Sequence, residues 1–339
     1  MKAVALKRYL PIDDPQSLLD VDLLKPVPGP RDLLVHVEAI SVNPVDTKVR
    51  RSKLGQEEAE PRVLGWDVAG VVKAIGSQVS LFRPGDEVYY AGSITRPGAN
   101  SEYHCVDERI VGNKPANLSF AEAAALPLTA ITAWEALFDR LGIDDSGAFG
   151  GRSILIIGGA GGVGSIGIQL AKLVGLRVIA TASRPETRAW CSKMGADHVV
   201  DHARPLPPQL AEIGIPEVDY IANFADTDRY WATMAELIRP QGKIVSIVEN
   251  QDPVDVDVLK SKSASFAWEF MFTRAMYGTA DMQAQHELLD TVAGLLAGGR
   301  LRTTLTDTLS PINAANLRAA HARLESGRSI GKLVLSGWA

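Results

Sequence analysis

Residues 153–164 read Ser153-Ile154-Leu155-Ile156-Ile157-Gly158-Gly159-Ala160-Gly161-Gly162-Val163-Gly164, and this stretch decides the fold. An apolar strand runs directly into glycines with G-x-G-x-x-G spacing, and a helical pattern follows. Glycine permits a tight turn and lets backbone N–H groups approach a pyrophosphate, which the helix N-terminus also favours. The sequence therefore predicts a dinucleotide-binding turn; the alternative is a plain strand-to-helix turn. The expected binding residues are Gly159, Gly161, Gly162, Val163 and Gly164.

Strands and helices alternate after this turn. The pattern predicts strands at 177–181, 198–201, 218–224 and 243–248, with helices at 162–174, 185–194 and 229–238. Such alternation is typical of a doubly wound parallel sheet covered by helices on both faces. Short β runs with Pro and Gly punctuation precede it, which indicates a barrel-like β region. We therefore expect an α/β chain with domains at 1–127, 128–268 and 269–339, the last returning to the first.

Composition narrows the classes of function. The chain has 339 residues, 46% hydrophobic and 22% charged, with a net charge of −5. This balance gives no broad basic field for nucleic acid, and the apolar runs fall short of the roughly 20 residues that span a bilayer. The charged N-terminus gives no export signal, so we expect a cytoplasmic protein with small-molecule partners. Cys105 and Cys191 are expected to be inert thiols, since two cysteines form no disulfide framework.

The end of the second strand indicates which dinucleotide binds. An NAD site usually carries Asp or Glu there, to hold the ribose hydroxyls. Here Thr181 runs into Ala182-Ser183-Arg184, and the carboxylate is missing. A 2′-phosphate is repelled by a carboxylate and accepts charge-assisted hydrogen bonds from Arg. We therefore predict NADPH rather than NADH, bound through Ser183 and Arg184; the alternative is that Arg184 is a solvated residue at a helix start.

Further motifs extend the pattern over nearly the whole length. With them the chain resembles the medium-chain dehydrogenase/reductase superfamily, most closely its quinone oxidoreductase branch, which includes zinc-type alcohol dehydrogenase-like proteins. The resemblance implies a Rossmann domain, a GroES-like β-barrel catalytic domain, and substrate and nicotinamide in the cleft between them. It also implies a homodimer joined at sheet edges, where residues 243–248 and the segment after them would lie. The motifs are Val42-Asn43-Pro44-Val45-Asp46, Leu64-Gly65-Trp66-Asp67-Val68-Ala69-Gly70, Pro84-Gly85-Asp86-Glu87-Val88, Leu126-Pro127-Leu128-Thr129-Ala130, the glycine turn, Gly195-Ala196-Asp197 and Gly331-Lys332.

Two of the motifs argue against a metal. Zinc-dependent members of the superfamily place Cys where this chain has Asn43, and His-Glu where it has Trp66-Asp67. Trp cannot coordinate a metal, and an Asn amide is a poor zinc ligand beside thiolate or imidazole. We therefore predict a site without a metal.

The reaction then needs an acceptor that is already activated. Without a Lewis acid, the easier hydride acceptors are a quinone or an α,β-unsaturated carbonyl, and the developing oxyanion needs hydrogen-bond donors. Asn43 is the first candidate for such a donor, or for orienting the nicotinamide, against an ordinary Asn-Pro turn. The resemblance places Thr129 near the nicotinamide ribose and phosphate, where it can also cap a helix. Asp46 or Tyr90 is a candidate proton donor, against protonation by solvent.

Aromatic residues complete the expected site. The resemblance implies that Trp66, Phe270 and Phe272 form a flat apolar pocket wall, whereas the alternative is ordinary core packing. Two other functions remain open: an NADPH-binding redox-sensing or structural protein with little catalysis, and a zinc-dependent alcohol dehydrogenase. NADPH consumption with a panel of acceptors separates the first alternative, and elemental analysis separates the second.

Overall fold

The computed structural model describes residues 1–144 and 151–338, which divide into two compact units. Unit 1 comprises Met1–Ile131 and Phe272–Ala339, and unit 2 comprises Thr132–Met271. The boundaries predicted from the sequence, at residues 127 and 268, lie within a few residues of these divisions. Within the described ranges, no helix has the length and apolar character that crossing a membrane requires.

Residues 1–144 form short strands followed by a helical segment. The strands are β1 (Lys2–Arg8), β2 (Leu19–Asp22), β3 (Asp32–Ser41), β4 (Glu57–Val63), β5 (Val68–Ile75), β6 (Glu87–Tyr90), β7 (Tyr103–Asp107) and β8 (Val111–Asn113), with a 3₁₀ turn at Glu108–Ile110. The helices are α1 (Pro44–Arg51), α2 (Phe120–Ala124) and α3 (Pro127–Trp134), and α3 runs into a π-helix (Glu135–Arg140). Helix α3 begins at Pro127. Proline suits the first turn of a helix because it has no N–H to donate.

Residues 151–271 form the alternating region of unit 2. Its strands are β9 (Ser153–Ile157), β10 (Arg177–Thr181), β11 (His198–Val200), β12 (Val218–Asn223), β13 (Ile238–Ser246) and β14 (Ser265–Trp268). Its helices are α4 (Gly162–Leu173), α5 (Pro185–Met194), α6 (Leu206–Glu212) and α7 (Thr227–Leu237), with a 3₁₀ helix at Val256–Lys262. The strands form one parallel sheet in the order β11-β10-β9-β12-β13-β14, which confirms the doubly wound prediction.

The edge of this sheet corrects one detail of the prediction. Residues 243–248 were expected to supply the exposed edge together with the segment after them. Instead β13 is paired on both sides, with β12 and β14, and β14 forms the edge. The aromatic segment that forms β14 follows a 3₁₀ helix rather than an α-helix, so the alternation of strands and α-helices does not predict this strand.

The C-terminal residues return to unit 1. They form α8 (Thr273–Tyr277), α9 (Ala284–Ala297), β15 (Leu305–Leu309), α10 (Ala314–Glu325) and β16 (Lys332–Ser336). β16 pairs antiparallel with β3, in a sheet ordered β15-β16-β3-β5-β6-β8 with β7 also on β3, and a smaller sheet has the order β2-β1-β4. This is the predicted GroES-like arrangement. Because Val334 lies opposite Ser41, the start of β16 is brought beside residues 42 and 43.

Candidate active site

The glycine turn of unit 2 joins the end of β9 to the start of α4. Gly158 has a φ of +85°, which glycine adopts without strain, and Gly161 is the N-cap residue of α4. The Gly158 N–H donates to Thr181 Oγ1 at 3.0 Å, and the Gly159 N–H to the Thr181 carbonyl at 3.3 Å. The end of β10 therefore holds the turn in place.

The glycines of this turn serve different needs. A Cβ on Gly164 would lie 2.3 Å from the Gly158 carbonyl oxygen, and one on Gly159 would lie 2.8 Å from the Ala180 Cβ, so the chain's own packing requires both glycines. A Cβ on Gly161 would meet, among the described residues, only the Gly158 oxygen at 3.4 Å, and its φ of −72° suits any residue. The missing Cβ leaves room for a ligand to approach this backbone, so the turn fits a dinucleotide pyrophosphate.

The helix after the turn supplies the donors for such an anion. The first-turn N–H groups, those of Gly162, Val163 and Gly164, have no partners within an α-helix. Ser165 holds the Gly161 carbonyl toward the helix, with its hydroxyl donating at 2.6 Å and its N–H at 2.9 Å. The Trp190 indole of α5 donates to that same hydroxyl at 2.8 Å. The Gly161 carbonyl therefore points along the helix, and the N–H groups of Gly162, Val163 and Gly164 are available to bind an anion.

Positive charge gathers where β10 ends. Ser183 is half-buried, and Arg184 is the N-cap residue of α5, with its Nε 3.1 Å from Glu186 Oε1. Burial, followed by the charges of Arg229 and Arg184, lowers the pKa of His202. Arg188 differs from Arg184, because its guanidinium donates to the Val199 carbonyl at 2.8 Å and so serves the fold. Sequence reasoning singled out Ser183 and Arg184 here but not His202 or Arg229, and the binding role of Ser183 and Arg184 stays a prediction.

The polar site of unit 1 is built around a buried ammonium. We call Lys332, Asn43, Asp46 and Asp67 the Lys332 cluster. Lys332 is 4% exposed, and its Nζ lies 2.9 Å from the Val42 carbonyl oxygen and 2.9 Å from Asp67 Oδ2, and it also donates to Asn43 Oδ1. Sequence reasoning used Lys332 only as part of a motif, since its partners lie far away in the chain.

The chemistry of the neighbours fixes the orientation of the Asn43 amide. The Asn43 Nδ2 donates to Asp67 Oδ2 at 2.8 Å and lies 3.5 Å from the Trp66 carbonyl oxygen. An ammonium only donates and a carboxylate only accepts, so the amide oxygen must face Lys332 and the amide nitrogen must face Asp67. Asn43, which is 1% exposed, therefore uses both ends of its amide inside the cluster.

Asp67 connects the cluster to helix α3. Its Oδ1 accepts the Leu128 N–H at 2.7 Å, in the first turn of that helix. Burial raises the pKa of Asp67, and the Lys332 ammonium opposes that effect. In the same turn the Thr129 hydroxyl donates to the Leu126 carbonyl at 3.0 Å, so its proton is used and its lone pairs remain to accept.

Asp46 is the member of the cluster with an unused polar atom. It lies in the first turn of α1, where its Oδ2 accepts the Asn43 N–H at 2.7 Å. Its Oδ1 is buried and has no hydrogen-bond partner among the described residues. Burial raises the pKa of Asp46 to about 7, opposed by the Asn43 N–H and by Lys332. Asp46 can therefore exchange a proton near neutral pH.

Tyr90, the other candidate proton donor, belongs to a different network. Its hydroxyl lies 3.0 Å from Nδ1 of His104, whose Nε2 lies 3.0 Å from the Pro97 carbonyl oxygen. That carbonyl can only accept, so Nε2 carries the proton and the Tyr90 hydroxyl donates to Nδ1. Burial raises the pKa of Tyr90 well above its ordinary value, which makes loss of its proton harder.

The three predicted aromatic residues do not lie together in one unit. Within unit 1, Trp66 and Phe272 pack edge to face, with ring centroids 6.2 Å apart, and both are buried. The Trp66 indole N–H donates to the Ser93 carbonyl at 3.2 Å. Phe270 belongs to unit 2 and is 45% exposed. Their role in binding a substrate stays a prediction.

Unit 2 contains a second group of buried charges that sequence reasoning missed. Glu135 opens the π-helix and Glu269 follows β14, and both side chains are buried. The Arg140 Nε donates to Glu269 Oε2 at 2.8 Å. Burial, followed by the negative charge of Glu135, raises the pKa of Glu269 to about 9. Glu269 is therefore protonated at neutral pH, which avoids two buried negative charges close together.

The residues of the Lys332 cluster do not fit a zinc ion. The Asn43 amide is engaged by Asp67 and Lys332, the Trp66 nitrogen is a donor, and an ammonium already lies against the Asp67 carboxylate. A second cation there would meet that ammonium at close range. Across residues 1–144 and 151–338, no group of three or more His, Cys, Asp or Glu side chains is arranged to hold a metal ion.

Comparison with known proteins gives consistent matches. The family model described as alcohol dehydrogenase GroES-like domain matches residues 29–134, and the one described as zinc-binding dehydrogenase matches residues 194–335. A zinc-type alcohol dehydrogenase-like protein of Staphylococcus aureus (strain MSSA476) is 46% identical over 337 residues, covering 99% of this chain and 100% of the relative. The 2-methylene-furan-3-one reductase of Solanum lycopersicum is 33% identical, covering 89% of this chain and 71% of the relative.

A solved structure matches even more closely in sequence. The crystal structure of a proposed zinc-dependent alcohol dehydrogenase protein of Rhizobium etli CFN 42 is 53% identical. It covers 100% of this chain and 98% of its own, with a TM-score of 0.95. The relationship therefore extends over both units.

Proposed function

This chain belongs to the medium-chain dehydrogenase/reductase superfamily, and from that membership we propose that it transfers hydride from NADPH to a quinone or an α,β-unsaturated carbonyl without a metal. The observation that carries the proposal is the glycine turn, where a Cβ on Gly161 would contact, among the described residues, only the Gly158 carbonyl oxygen. The helix donors after it and the Arg184 guanidinium suit the phosphates of NADPH. When bound, that cofactor supplies the hydride.

Two observations favour an activated acceptor. The Lys332 ammonium lies against the Asp67 carboxylate, a pairing that does not fit a metal ion, so we propose that no Lewis acid polarises a simple alcohol or ketone at this cluster. The tomato relative is named for 2-methylene-furan-3-one, a compound whose exocyclic double bond is conjugated with a ketone. Such a bond accepts hydride at its β carbon and leaves an enolate, which then takes up a proton.

The hydrogen bonds of Asn43, Asp46 and Thr129 suggest a different role for each residue in the reaction. Asn43 has both ends of its amide engaged, so we propose that it orients the segment before α1 rather than donating to the substrate. Thr129 has used its proton and is proposed to accept a hydrogen bond from the nicotinamide ribose. Asp46 has one carboxyl oxygen without a hydrogen-bond partner in the described part of the chain, and we propose that Asp46 provides the proton for the enolate.

The proton role of Asp46 predicts a pH dependence. Because the pKa of Asp46 is raised to about 7, the acid form is lost as pH rises through neutrality, and turnover with an enone should fall over the same range. The Asp46→Asn variant, which keeps an acceptor for the Asn43 N–H, should lose about 10- to 100-fold in kcat and show no such decline. Steady-state rates between pH 5 and pH 9 measure both. A variant with wild-type rates would assign protonation to solvent.

Cofactor choice is tested at Arg184. Arg184→Ala should weaken NADPH binding by about 10- to 100-fold and change NADH binding by less than about 3-fold, since the 2′-phosphate alone distinguishes them. Fluorescence titration with each cofactor gives the two dissociation constants. Arg188→Ala is the matched control, because Arg188 supports the Val199 carbonyl and should affect both cofactors alike. Equal losses in Arg184→Ala would remove Arg184 from the phosphate site.

The function itself is tested on the unmodified protein. NADPH is incubated with the protein and a panel of quinones, enones, aldehydes and alcohols, and its consumption is followed by absorbance. Turnover of quinones or enones is expected. NADPH binding without consumption would instead favour the redox-sensing or structural function. One equivalent of zinc per chain by elemental analysis, with turnover of simple alcohols, would favour the zinc-dependent alcohol dehydrogenase.

We also propose that two copies of the chain associate through β14. This strand is one of the two edge strands of the unit 2 sheet, and Trp268 at its end is 45% exposed. An unpaired strand edge carries free N–H and C=O groups that a second strand can pair. A dimer in analytical ultracentrifugation that becomes a monomer in Trp268→Lys is the expected result. A dimer that persists in the variant would place the interface elsewhere.

A further inference from the structure

Lys332 has no proton left for a substrate. An ammonium carries three N–H donors, and those of Lys332 are accepted by the Val42 carbonyl, the Asn43 amide and the Asp67 carboxylate. The side chain is 4% exposed. If Lys332 contributes to the reaction, it must therefore do so through the groups that it holds.

Those groups connect directly to the proposed site. Through Asn43, Lys332 fixes the N-cap of α1, whose first turn contains Asp46. Through Asp67, whose other oxygen accepts the Leu128 N–H, it fixes the first turn of α3, which contains Thr129. One cation from the C-terminal strand thus joins two helix starts that are far apart in sequence.

We propose that Lys332 is a positioning residue for the hydride transfer suggested above, holding Asn43 and Asp67 so that the starts of α1 and α3 keep their arrangement. The inference rests on the proposed function for its catalytic part. It does not require Lys332 to touch substrate or cofactor.

The charge of Lys332 also reaches Asp46. Asp46 is faced by the Lys332 ammonium from β16 and by the Asp67 carboxylate from the segment before β5. Lys332 lowers the pKa of Asp46, whereas Asp67 raises it. Removing Lys332 alone should therefore raise the pKa of Asp46 further, and removing both charges should return it toward the wild-type value.

Three variants test the inference. Lys332→Met removes the ammonium but leaves Asp67 buried without its cation, which is expected to lower the melting temperature. The double variant Lys332→Met/Asp67→Asn removes both charges, so it should recover much of that stability. Asn43 can then turn its amide oxygen toward Asn at position 67, which reverses its orientation. Lys114→Met is the matched control, because Lys114 is also a buried lysine of unit 1, bonded to the Pro115 and Leu118 carbonyls and to Glu87.

The expected rates separate positioning from stability. Lys332→Met and the double variant should both lose about 100-fold in kcat while their NADPH dissociation constants stay within about 3-fold of wild type, since a small misplacement has a cost of this size. Lys114→Met should lose stability but keep its kcat. The decline of rate with pH should move upward in Lys332→Met and back in the double variant. A double variant with wild-type kcat, or a pH profile that does not move, would overturn the inference.

A readout without turnover keeps the two proposals apart. Infrared difference spectra between pH 5 and pH 9 report the carbonyl stretch of a protonated carboxyl, and Asp46→Asn identifies the band of Asp46. Its titration should shift upward in Lys332→Met and return in the double variant. If the acceptor panel shows no turnover but this shift occurs, the proposed function fails while the coupling of Lys332 to its cluster stands. If turnover occurs but the titration is unchanged, the inference about Lys332 fails.

Discussion

The glycine turn of unit 2 and the Lys332 cluster of unit 1 keep their geometry by different means. The turn relies on backbone atoms in close contact, so steric fit at single positions such as Gly164 decides which substitutions it accepts. The cluster relies on buried charges from distant segments of the chain. A substitution there is accepted only if each remaining charge keeps its partner. The difference indicates that adding a methyl group should damage the turn, whereas removing a single charge should damage the cluster.

The largest effect is expected at Gly164. In Gly164→Ala the added Cβ would lie 2.3 Å from the Gly158 oxygen and 2.7 Å from the Gly159 Cα, so the turn must open. We expect NADPH affinity to fall by about 100-fold or more, with a lower melting temperature. Fluorescence titration and thermal unfolding measure the two effects.

Gly161→Ala is the control within the same turn. Its Cβ would have no close contact in the described structure, so the melting temperature should change by less than about 2 °C while NADPH affinity falls by about 10-fold. Wild-type affinity in this variant would show that no ligand lies against Gly161. The steric account of the turn would then hold only for packing, and not for cofactor binding.

A smaller effect is expected from the acid pair of unit 2, which shows whether this unit also depends on buried charge. The pKa of Glu269 is raised to about 9, above the ordinary value of 4.5, so the folded state binds the proton more tightly than the unfolded state. The contribution of Glu269 to the stability of the fold is therefore complete below about pH 4.5 and is lost as the pH rises toward about 9. Glu135→Gln, which removes the repulsion, should unfold a few °C higher than wild type at pH 9 and nearly equally at pH 5.

Glu108→Gln gives the matched control in unit 1. Glu108 is also buried, but its carboxylate accepts the Ser80 and Leu81 N–H groups at 2.8 Å and lies 3.3 Å from Arg31. Replacing this satisfied carboxylate should lower the melting temperature at pH 9 rather than raise it. Equal effects of the two substitutions would mean that Glu135 and Glu269 do not repel one another.

The same contrast explains what could be predicted from the sequence. The turn lies within residues 153–164, and its glycine spacing, strand and helix are all visible in that one stretch. Asn43, Asp46 and Thr129 were found through motifs that resemble a known superfamily. Lys332, which contacts Asn43 and Asp67, was seen only beside Gly331, because these contacts cross 289 and 265 positions of the chain. Hydrophobic periodicity and secondary-structure propensity carry no information about contacts between such distant segments.

The missed elements have similar causes. Glu135 and Glu269 lie far apart in the chain, and nothing in the sequence around either residue points to the other. Strand β14 was missed because it does not follow an α-helix, so the alternation of strands and helices does not extend to it. A chain segment whose role depends on what it faces cannot be assigned from its own composition.

The smallest effect is expected at the cysteines, of which each unit has one. Burial raises the pKa of Cys105, in β7 of unit 1, to about 11 and that of Cys191, in α5 of unit 2, to about 12. Because the thiolate is the reactive form, iodoacetamide at about pH 7.5 should modify neither in the folded protein and both after denaturation, as mass spectrometry would show. Rapid labelling of the native protein would contradict this.

The site of any such labelling would bear on the comparison of the two units. The Cys191 sulfur lies 3.0 Å from the position that a Cβ on Gly159 would take, so it packs directly behind the glycine turn. Labelling of Cys191 would therefore require the turn to open, and bound NADPH should then slow it, whereas labelling of Cys105 should not respond to the cofactor. If both thiols stay unreactive with and without NADPH, the turn keeps its packing without its ligand, as expected for a structure fixed by backbone sterics.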